Sequence, residues 1–215
     1  MDTQSEQQYD PLVSDYEQWY IDNSAIFHAE VAALKAVSPS FENALEVGVG
    51  TGLFAEQLGT KNGLDPSVPM LERAAQRNIT VTEGVAEHLP YADNSFDGVY
   101  FITVDCYLDL PKAFAEAKRV LKKDGAAIIG TLDWSTPIGQ ARRKSHADSP
   151  YYQGINFNSA EDIKRELAAA GFKVEDSRQT IFTMVGDQSN VAVRHPIREG
   201  TGDGYFAAIR ARVNK

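Results

Sequence analysis

Short apolar runs alternate with segments of helical periodicity from about residue 40 onward. The predicted strands are Ala44–Val47, a segment ending at Asp65, Thr80–Thr82, Phe96–Thr103, Ala126–Leu132, 172–182 and 205–213. The fourth run is nearly continuous in apolar residues, which is typical of a strand covered on both faces. Strands that alternate with helices indicate βαβ units and a mostly parallel sheet.

Helical periodicity accounts for most segments between the strands. Before the first strand, Phe27, Val31 and Leu34 follow an i, i+4, i+7 spacing, with Asn23 or Ser24 as the cap. Further helices are predicted through Phe54 and Leu58, from about 67 to 77, at Leu110–Leu121 with the closing turn Lys122–Gly125, at Ile138–Lys144, and after the capping box Ser159–Asp162. Residues 185–204 are predicted to form a long loop.

The first 22 residues are polar but carry four aromatic side chains, Tyr9, Tyr16, Trp19 and Tyr20. They show no strong helical or strand period, so they have little apolar surface of their own to offset the entropy of ordering. We therefore predict a lid that orders when a ligand binds. A helix that is docked permanently is the alternative.

Composition and charge exclude several classes of protein. The 215-residue chain has a formal net charge of −9, which argues against a nucleic-acid partner, because such proteins usually carry a basic surface. The densest basic stretch, Arg142–Lys144, is short and is predicted to be a solvated helix face. Cys106 is the only cysteine, so neither an intrachain disulfide nor a cysteine-based zinc site can form. The polar start and the lack of an apolar stretch of about 20 residues predict a cytoplasmic protein without a signal peptide or membrane span.

A glycine-rich loop, Glu46–Gly52, directly follows the first predicted strand and opens a helix. Its spacing, G-x-G-x-G, leaves the backbone open to a ligand, although a tight turn without a ligand is the alternative. A dinucleotide site has the spacing G-x-G-x-x-G, and Leu53 stands where that third glycine would be. Asp65, after the second strand, is either a helix cap or an acceptor for both hydroxyls of a ribose. Together, the loop and Asp65 predict a nucleoside-containing cofactor.

Four ordered blocks resemble the motifs of a known family. They are Glu46–Gly52; Gly63–Leu71, similar to G-h-D-x-S-x-x-M-L; Gly84–Tyr91 with Asp93–Asp97, similar to GDAExLPF…D-x-S-F-D; and Glu116–Gly125, similar to E-x-x-R-V-L-K-P-G-G. The chain thereby resembles the class I S-adenosylmethionine-dependent methyltransferases, of the small bacterial type with a methyltransferase-11-like domain. The resemblance implies a Rossmann-like α/β fold with helices on both faces of a seven-stranded, mostly parallel sheet. It also implies the strand order 3-2-1-4-5-7-6, an antiparallel last strand, and S-adenosylmethionine as the cofactor.

The resemblance assigns cofactor-binding roles to individual residues. The implied set is Tyr20 in a closing N-terminal element, Glu46 near the amino group, Gly48 and Gly50 along the methionine portion, Asp65 on the ribose, Pro66 and Met70 on the adenine, Ala86 and Glu87 at the adenine edge, and Thr103 beneath the methionine. Two positions depart from the family pattern. Val85 replaces an Asp that accepts from the adenine amine, so recognition of that amine is either lost or moves to another group. Asp105–Tyr107 stands where a His pair is common, so a different acceptor is expected.

Methyl transfer from a sulfonium mainly needs an aligned acceptor in a dry pocket, and it needs a general base only where the acceptor must lose a proton. The sequence identifies no catalytic residue. The weak candidates by position are Asp105, Tyr107, Asp133 and His146, and for each a structural role is the alternative. Trp134 is predicted to wall the acceptor pocket or to belong to the core.

The chain is thus predicted to be one domain, 1–215, in which residues 1–40 form an N-terminal helical cover and residues 133–158 an insertion at the acceptor site. The predicted function is in-line methyl transfer from S-adenosylmethionine to an unidentified small-molecule acceptor, with no metal, nucleic acid or membrane involved. Two alternatives stay open. They are a catalytically inactive S-adenosylmethionine-binding protein and a nicotinamide-dinucleotide oxidoreductase, which Leu53 disfavours. The sequence does not determine the oligomeric state.

Overall fold

The computed structural model describes residues 13–145, 154–183 and 195–213. The helices in these ranges are α1 Val13–Asp22, α2 Ser24–Val37, α3 Leu53–Leu58, α4 Val68–Gln76, α5 Leu110–Val120, α6 Pro137–Ser145 and α7 Ala160–Ala169. The strands are β1 Ala44–Val47, β2 Asn62–Asp65, β3 Thr80–Glu83, β4 Phe96–Ile102, β5 Leu121–Leu132, β6 Phe172–Thr180, β7 Arg198–Glu199 and β8 Phe206–Val213. No helix within these ranges is both long and apolar enough to cross a membrane.

The strands form one eight-stranded sheet in the order β3-β2-β1-β4-β5-β8-β6-β7. β1 to β5 run parallel to one another, while β8 runs antiparallel between β5 and β6. This confirms the predicted α/β class and the order of the seven longer strands. The predicted count of seven is wrong because the two-residue strand β7 pairs with Arg178 and Gln179 of β6. Two residues are too few to show an alternating pattern, so the sequence placed them in a loop.

The sheet separates two apolar layers, because alternate side chains of a strand point to opposite faces. In β4, Val99 and Phe101 belong to one layer, and Tyr100 and Ile102 belong to the other. Residues of α5 and α7 cover the first layer, and residues of α1 and α2 cover the second. The prediction of helices on both faces is therefore confirmed.

The junction between α5 and β5 differs from its prediction. The sequence predicted a helix to Leu121 and a closing turn at Lys122–Gly125, but α5 ends at Val120 and β5 begins at once. Leu121 already pairs with Phe96 of β4. This tertiary pairing holds the chain extended where the local composition favoured a helix end.

Residues 13–22 form helix α1, although their sequence shows no strong helical period. Tyr20 makes edge-to-face contacts with Phe27 of α2 at 5.3 Å and with Phe54 of α3 at 5.5 Å. Asn23 occupies the N-cap position of α2, but its side chain donates to the carbonyl of Trp19 at 2.8 Å instead of capping that helix. Packing of this kind stabilises short helices that are marginal alone.

Candidate functional site

The loop after β1 is built on left-handed glycines. Gly48 and Gly50 have φ values of +73° and +52°, which residues with a Cβ rarely adopt. The N–H groups of Gly48 and Val49 donate to the carbonyl of Leu64 at 2.7 and 3.0 Å, which ties the loop to β2. A Cβ on Gly48 would lie 2.6 Å from Cγ2 of Val104. Packing within the protein therefore requires this glycine.

Asp65 holds the loop from the end of β2. Its Oδ2 accepts the backbone N–H of Gly50 at 2.8 Å, and its Oδ1 accepts that of Ser67 at 2.9 Å. Ser67 in turn caps α4, since its Oγ accepts the N–H of Met70 at 3.5 Å. Each carboxylate oxygen has a second lone pair. Asp65 can therefore shape the loop and still accept hydrogen bonds from a ligand.

An open cleft of about 740 Å³, including its mouth, lies at the carboxyl edge of the parallel strands. This edge is where open α/β sheets bind ligands. Most of the predicted cofactor-binding residues line it: Gly48, Gly50, Asp65, Pro66, Met70, Ala86 and Thr103. Val85, which departs from the family pattern, lies outside the lining, although its neighbour Gly84 belongs to it.

Tyr20, Glu46 and Glu87, also predicted to bind the cofactor, lie outside the lining of the cleft. Glu46 is a β1 residue with 2% exposure, and burial raises the pKa of its carboxyl well above the usual range, with a further contribution from Asp65. Glu87 accepts the backbone N–H of Asp109 at 2.9 Å, next to the start of α5. The structure therefore gives Glu87 a structural contact in place of a position in the cleft wall.

The N-terminal helix reaches the cleft through Tyr16. Tyr16 is part of the lining, whereas Tyr20 is buried behind it, with ring centroids 5.1 Å apart. The Tyr20 side chain is hydrogen-bonded to Tyr16 and to Thr103. Thr103 has a φ of +53°, a conformation that costs a non-glycine residue roughly 1–3 kcal/mol. Tyr9, the other tyrosine of the predicted lid, lies outside the described residues.

Asp105 is buried directly after β4, with 4% exposure. Its Oδ2 accepts the Thr131 hydroxyl at 3.1 Å and the side-chain amide of Asn158 at 3.0 Å. Burial raises the pKa of Asp105 to about 6, while these hydrogen bonds oppose the increase. The carboxylate therefore fastens residues 154–158 to the ends of β4 and β5.

The other catalytic candidates have separate surroundings. Tyr107 lines the cleft. Asp133 accepts the N–H and the hydroxyl of Ser135 at 3.0 and 2.6 Å, in the turn before α6. His146 lies outside the described residues. Within the ranges that the structure describes, no group of three or more His, Cys, Asp or Glu could hold a metal ion.

Aromatic side chains and two arginines form the region that the sequence predicts as a cover. The Trp134 ring lies 4.9 Å from that of Phe157 and 5.6 Å from that of Tyr205. Arg142 lies over Tyr205 at 5.5 Å, and Arg143 over Phe157 at 4.2 Å. Arg143 and Lys144 are exposed, as predicted for a solvated basic face, whereas Arg142 is half-buried; both guanidinium groups also stack on aromatic rings. Trp134 is buried in this aromatic cluster.

The sequence analysis missed one acidic residue of this region, Glu30 in α2. Glu30 is 3% exposed, and it lies three residues after Phe27 and four before Leu34, both of which are buried. An acidic residue on the apolar stripe of a helix is a signal that the sequence did contain.

Known proteins resemble this chain over most of its length. A family model described as a methyltransferase domain matches residues 45–129. An uncharacterized protein of Methanocaldococcus jannaschii is 37% identical over 204 residues, covering 94% of this chain and 97% of that protein. A demethylmenaquinone methyltransferase of Thermobifida fusca is 37% identical over 192 residues, covering 73% and 79%.

A crystal structure from Thermotoga maritima gives the corresponding structural comparison. It is of a SAM-dependent methyltransferase described as a possible histamine N-methyltransferase. It matches with a TM-score of 0.90 at 33% identity, covering 96% of this chain and 98% of that one. The chain therefore belongs to the class I S-adenosylmethionine-dependent methyltransferases.

Proposed function

We propose that this chain binds S-adenosylmethionine in the cleft and transfers its methyl group in line to a small-molecule acceptor. The observation that carries the proposal is the convergence of the glycine loop, Asp65 and Tyr16 on one cleft at the carboxyl edge of the sheet. Membership of the family supports S-adenosylmethionine as the methyl donor.

The residues of the cleft fit a nucleoside that carries an amino acid. Asp65 presents carboxylate oxygens of the kind that accept ribose hydroxyls, and Met70 offers apolar surface to the adenine. The space above Gly50 is bounded by Tyr16, whose hydroxyl would lie 3.8 Å from a Cβ at that position. Glu46 is buried, and its Oε2 has no hydrogen-bond partner among the described residues. Glu46 is not part of the cleft wall, so a water molecule would have to connect it to an ammonium group of the ligand.

In this proposal, the residues of the chain position the methyl donor and the acceptor and exclude water from the cleft. When bound, S-adenosylmethionine supplies a methyl carbon already activated by its sulfonium. Tyr16 walls the N-terminal side of the cleft, and Asp105 holds the segment 154–158 in place as a positioning residue. Tyr107 is the catalytic candidate that lines the cleft. A base is needed only if the acceptor has to lose a proton before attack, and Tyr107 could serve as that base only as the phenolate.

The proposed acceptor is a small molecule, because a net charge of −9 argues against a nucleic-acid substrate. The names of the similar proteins from Thermotoga maritima and Thermobifida fusca point to histamine and to demethylmenaquinone, respectively. None of the similar proteins reported above favours an inactive binder or a nicotinamide-dependent oxidoreductase. Histamine is therefore the first single acceptor to test.

Two measurements test the proposal. Calorimetry should show binding of S-adenosylhomocysteine and none of NAD. Incubation with methyl-labelled S-adenosylmethionine and a metabolite extract, with histamine alone in parallel, should label a small product. The absence of S-adenosylhomocysteine binding would contradict the site. Binding without any labelled product would contradict methyl transfer and identify an inactive binder.

A further inference from the structure

A second cavity lies at the opposite edge of the sheet from the cofactor cleft. It has a volume of about 790 Å³, including its mouth. Ala44 and Asn62, the first residues of β1 and β2, line it, whereas Val47 and Asp65, at the other ends of these strands, line the cleft. Among the described residues, the two cavities share none of their lining. A strand of four residues spans about 10–13 Å, so each cavity can hold a ligand of its own.

The lining of this second cavity carries charges of both signs. Lys35, in the last turn of α2, and Lys61, directly before β2, are cations, and Glu42, in the link from α2 to β1, is an anion. Within the described ranges, no ion pair joins Glu42 to either lysine. Helices α2 and α3 also end here, next to Ser38 and at Leu58, and a helix C-terminus carries about half a negative charge. Positive and negative charges in the lining are therefore close to balance, which favours a ligand that carries both signs over a simple anion or cation.

One polar group of the lining is buried and unsatisfied. Thr60 is 4% exposed, and its Oγ1 has no hydrogen-bond partner within the part of the chain that the structure describes. Two neighbouring hydroxyls are satisfied inside the protein, because that of Ser38 donates to the carbonyl of Leu34 at 2.8 Å and that of Tyr100 is hydrogen-bonded to Ser38. A buried hydroxyl without a partner costs free energy. Rotation about the Cα–Cβ bond of Thr60 would turn its hydroxyl toward an acceptor in the cavity.

Apolar side chains form the remaining wall of the second cavity. Pro39, Phe41 and Leu58 belong to it. The Phe41 ring packs edge-to-face on that of Tyr100, with centroids 5.7 Å apart, and it lies so close to Gly98 of β4 that a Cβ there would be 2.5 Å from the ring. The ring is therefore held against the sheet, and it offers a fixed apolar surface to a ligand.

We propose that this second cavity binds a small zwitterion, an amino acid with an aliphatic side chain. Its carboxylate would accept hydrogen bonds from Lys35, Lys61 and the Thr60 hydroxyl. Its ammonium group would lie toward Glu42 and the C-terminal ends of α2 and α3, where negative charge collects. Its side chain would pack on Phe41 and the other apolar residues of the wall. This site is independent of the proposed function, because it lies outside the cleft.

Calorimetric titration of the full chain, with S-adenosylhomocysteine present to occupy the cleft, tests the proposal. The probes are L-leucine, 4-methylpentanoate, which lacks the ammonium group, and 3-methylbutylamine, which lacks the carboxylate. The wild-type protein should bind leucine with a Kd of about 1 mM or tighter. It should bind each of the other two probes about fivefold or more weakly, because each of them loses one set of charged contacts.

Substitutions in the lining test whether leucine binds in this cavity. Glu42→Gln should bring the affinities for leucine and 4-methylpentanoate to within about twofold of each other. Lys35→Gln combined with Lys61→Gln should do the same for leucine and 3-methylbutylamine. Glu72→Gln on α4 and Lys173→Gln on β6 are the matched controls, and both should bind the three probes as the wild type does. All five side chains are exposed, so these variants should fold.

Three outcomes would overturn the proposal: no binding of leucine at about 10 mM, equal wild-type affinity for leucine and the other two probes, or a preference for leucine that survives both the Glu42 and the lysine substitutions. Each of these can occur while S-adenosylhomocysteine binds and a labelled product forms, so the proposed function would stand and only the second site would fail. The comparison of the three probes in the wild-type protein needs no variant.

Discussion

The carboxylate of Asp65 accepts the backbone N–H of Gly50 at 2.8 Å, so the group that lines the cleft also shapes the glycine loop. Its other oxygen accepts the N–H of Ser67. Asp65→Ala therefore loses the ligand contact and both loop contacts together. We expect S-adenosylhomocysteine to bind about 1.5–3 kcal/mol more weakly in calorimetry, the usual range for hydrogen bonds to a charged group.

Asp65→Asn tests whether the loop contacts matter. The amide has one acceptor oxygen, so its NH₂ group must face the N–H of either Gly50 or Ser67. We expect this variant to recover little of the affinity that Asp65→Ala loses. Asp22→Asn, exposed on α1, should bind as the wild type does. Near-wild-type affinity in Asp65→Asn would contradict the double role.

A comparison of Gly50→Ala with Gly59→Ala distinguishes the effect of backbone strain from the effect of contact with the ligand. Both are left-handed, with φ values of +52° and +76°. A Cβ on Gly50 would face Tyr16, whereas nothing lies within 4 Å of one on Gly59. Each change to Ala should cost about 1–2 kcal/mol in unfolding free energy. Only Gly50→Ala should also lower S-adenosylhomocysteine affinity, by about tenfold. Equal affinities in the two variants would show that the loop does not touch the ligand.

Helix α1 is expected to gain amide protection when S-adenosylhomocysteine binds. Tyr16 lines the cleft, so a ligand there adds packing surface to a helix that has little of its own. Hydrogen exchange across residues 13–22, with and without ligand, measures the gain. Helix α7, Ala160–Ala169, is the internal reference and should not change. Strong protection of the α1 amides from exchange in the absence of ligand would identify a permanently docked helix and would contradict the lid hypothesis.

Glu30 should make the free energy of unfolding fall as the pH rises from 6 to 8. The folded state keeps this proton up to about pH 8, whereas an ordinary Glu loses it near 4.5. The folded state therefore binds more protons in this window, and stability falls as the pH rises through it. Between pH 6 and 8 the loss attributable to Glu30 is roughly 2–3 kcal/mol, and Glu30→Gln should remove it. Urea unfolding at both pH values provides the test, and an identical change in both proteins would refute it.

Asn158 is expected to stabilise the fold through Asp105. Asn158→Ala removes one of the two side-chain donors to that buried carboxylate and should cost about 1–3 kcal/mol at pH 7. Asn156→Ala is the matched control, because Asn156 bonds to the carbonyl of Cys106 through its backbone N–H. Thermal unfolding compares the two variants. Equal shifts would mean that the Asp105 contact adds nothing.

The sequence predicted those features that have a local pattern. Buried strands such as Phe96–Ile102 are visible in the sequence as apolar runs. The glycine loop at Gly48 and the later Asp65 together predict where the cofactor cleft lies. The resemblance singled out Tyr20, whereas Tyr16 lines the cleft. Residues four apart share one helix face, and only tertiary packing decides which of the two reaches the cleft.

Other features depend on contacts between distant segments. Glu87 lies in a block that resembles a cofactor motif, yet its carboxylate bonds to Asp109 of a later segment. Glu30 has no motif, and its position becomes meaningful only beside α1 and α6. Strand β7 exists because β6 offers a free edge to two residues. No local propensity describes pairings of this kind.

Strand β8 follows every other described strand in the chain but lies between β5 and β6 in the sheet. During synthesis, therefore, both neighbours leave the ribosome before the strand that joins them, and each presents an unpaired edge. Translation adds about 5–20 residues per second, so this interval lasts on the order of seconds. The nascent chain is most exposed to pairing with other chains during this interval, and a translational pause between Thr180 and Phe206 would prolong it.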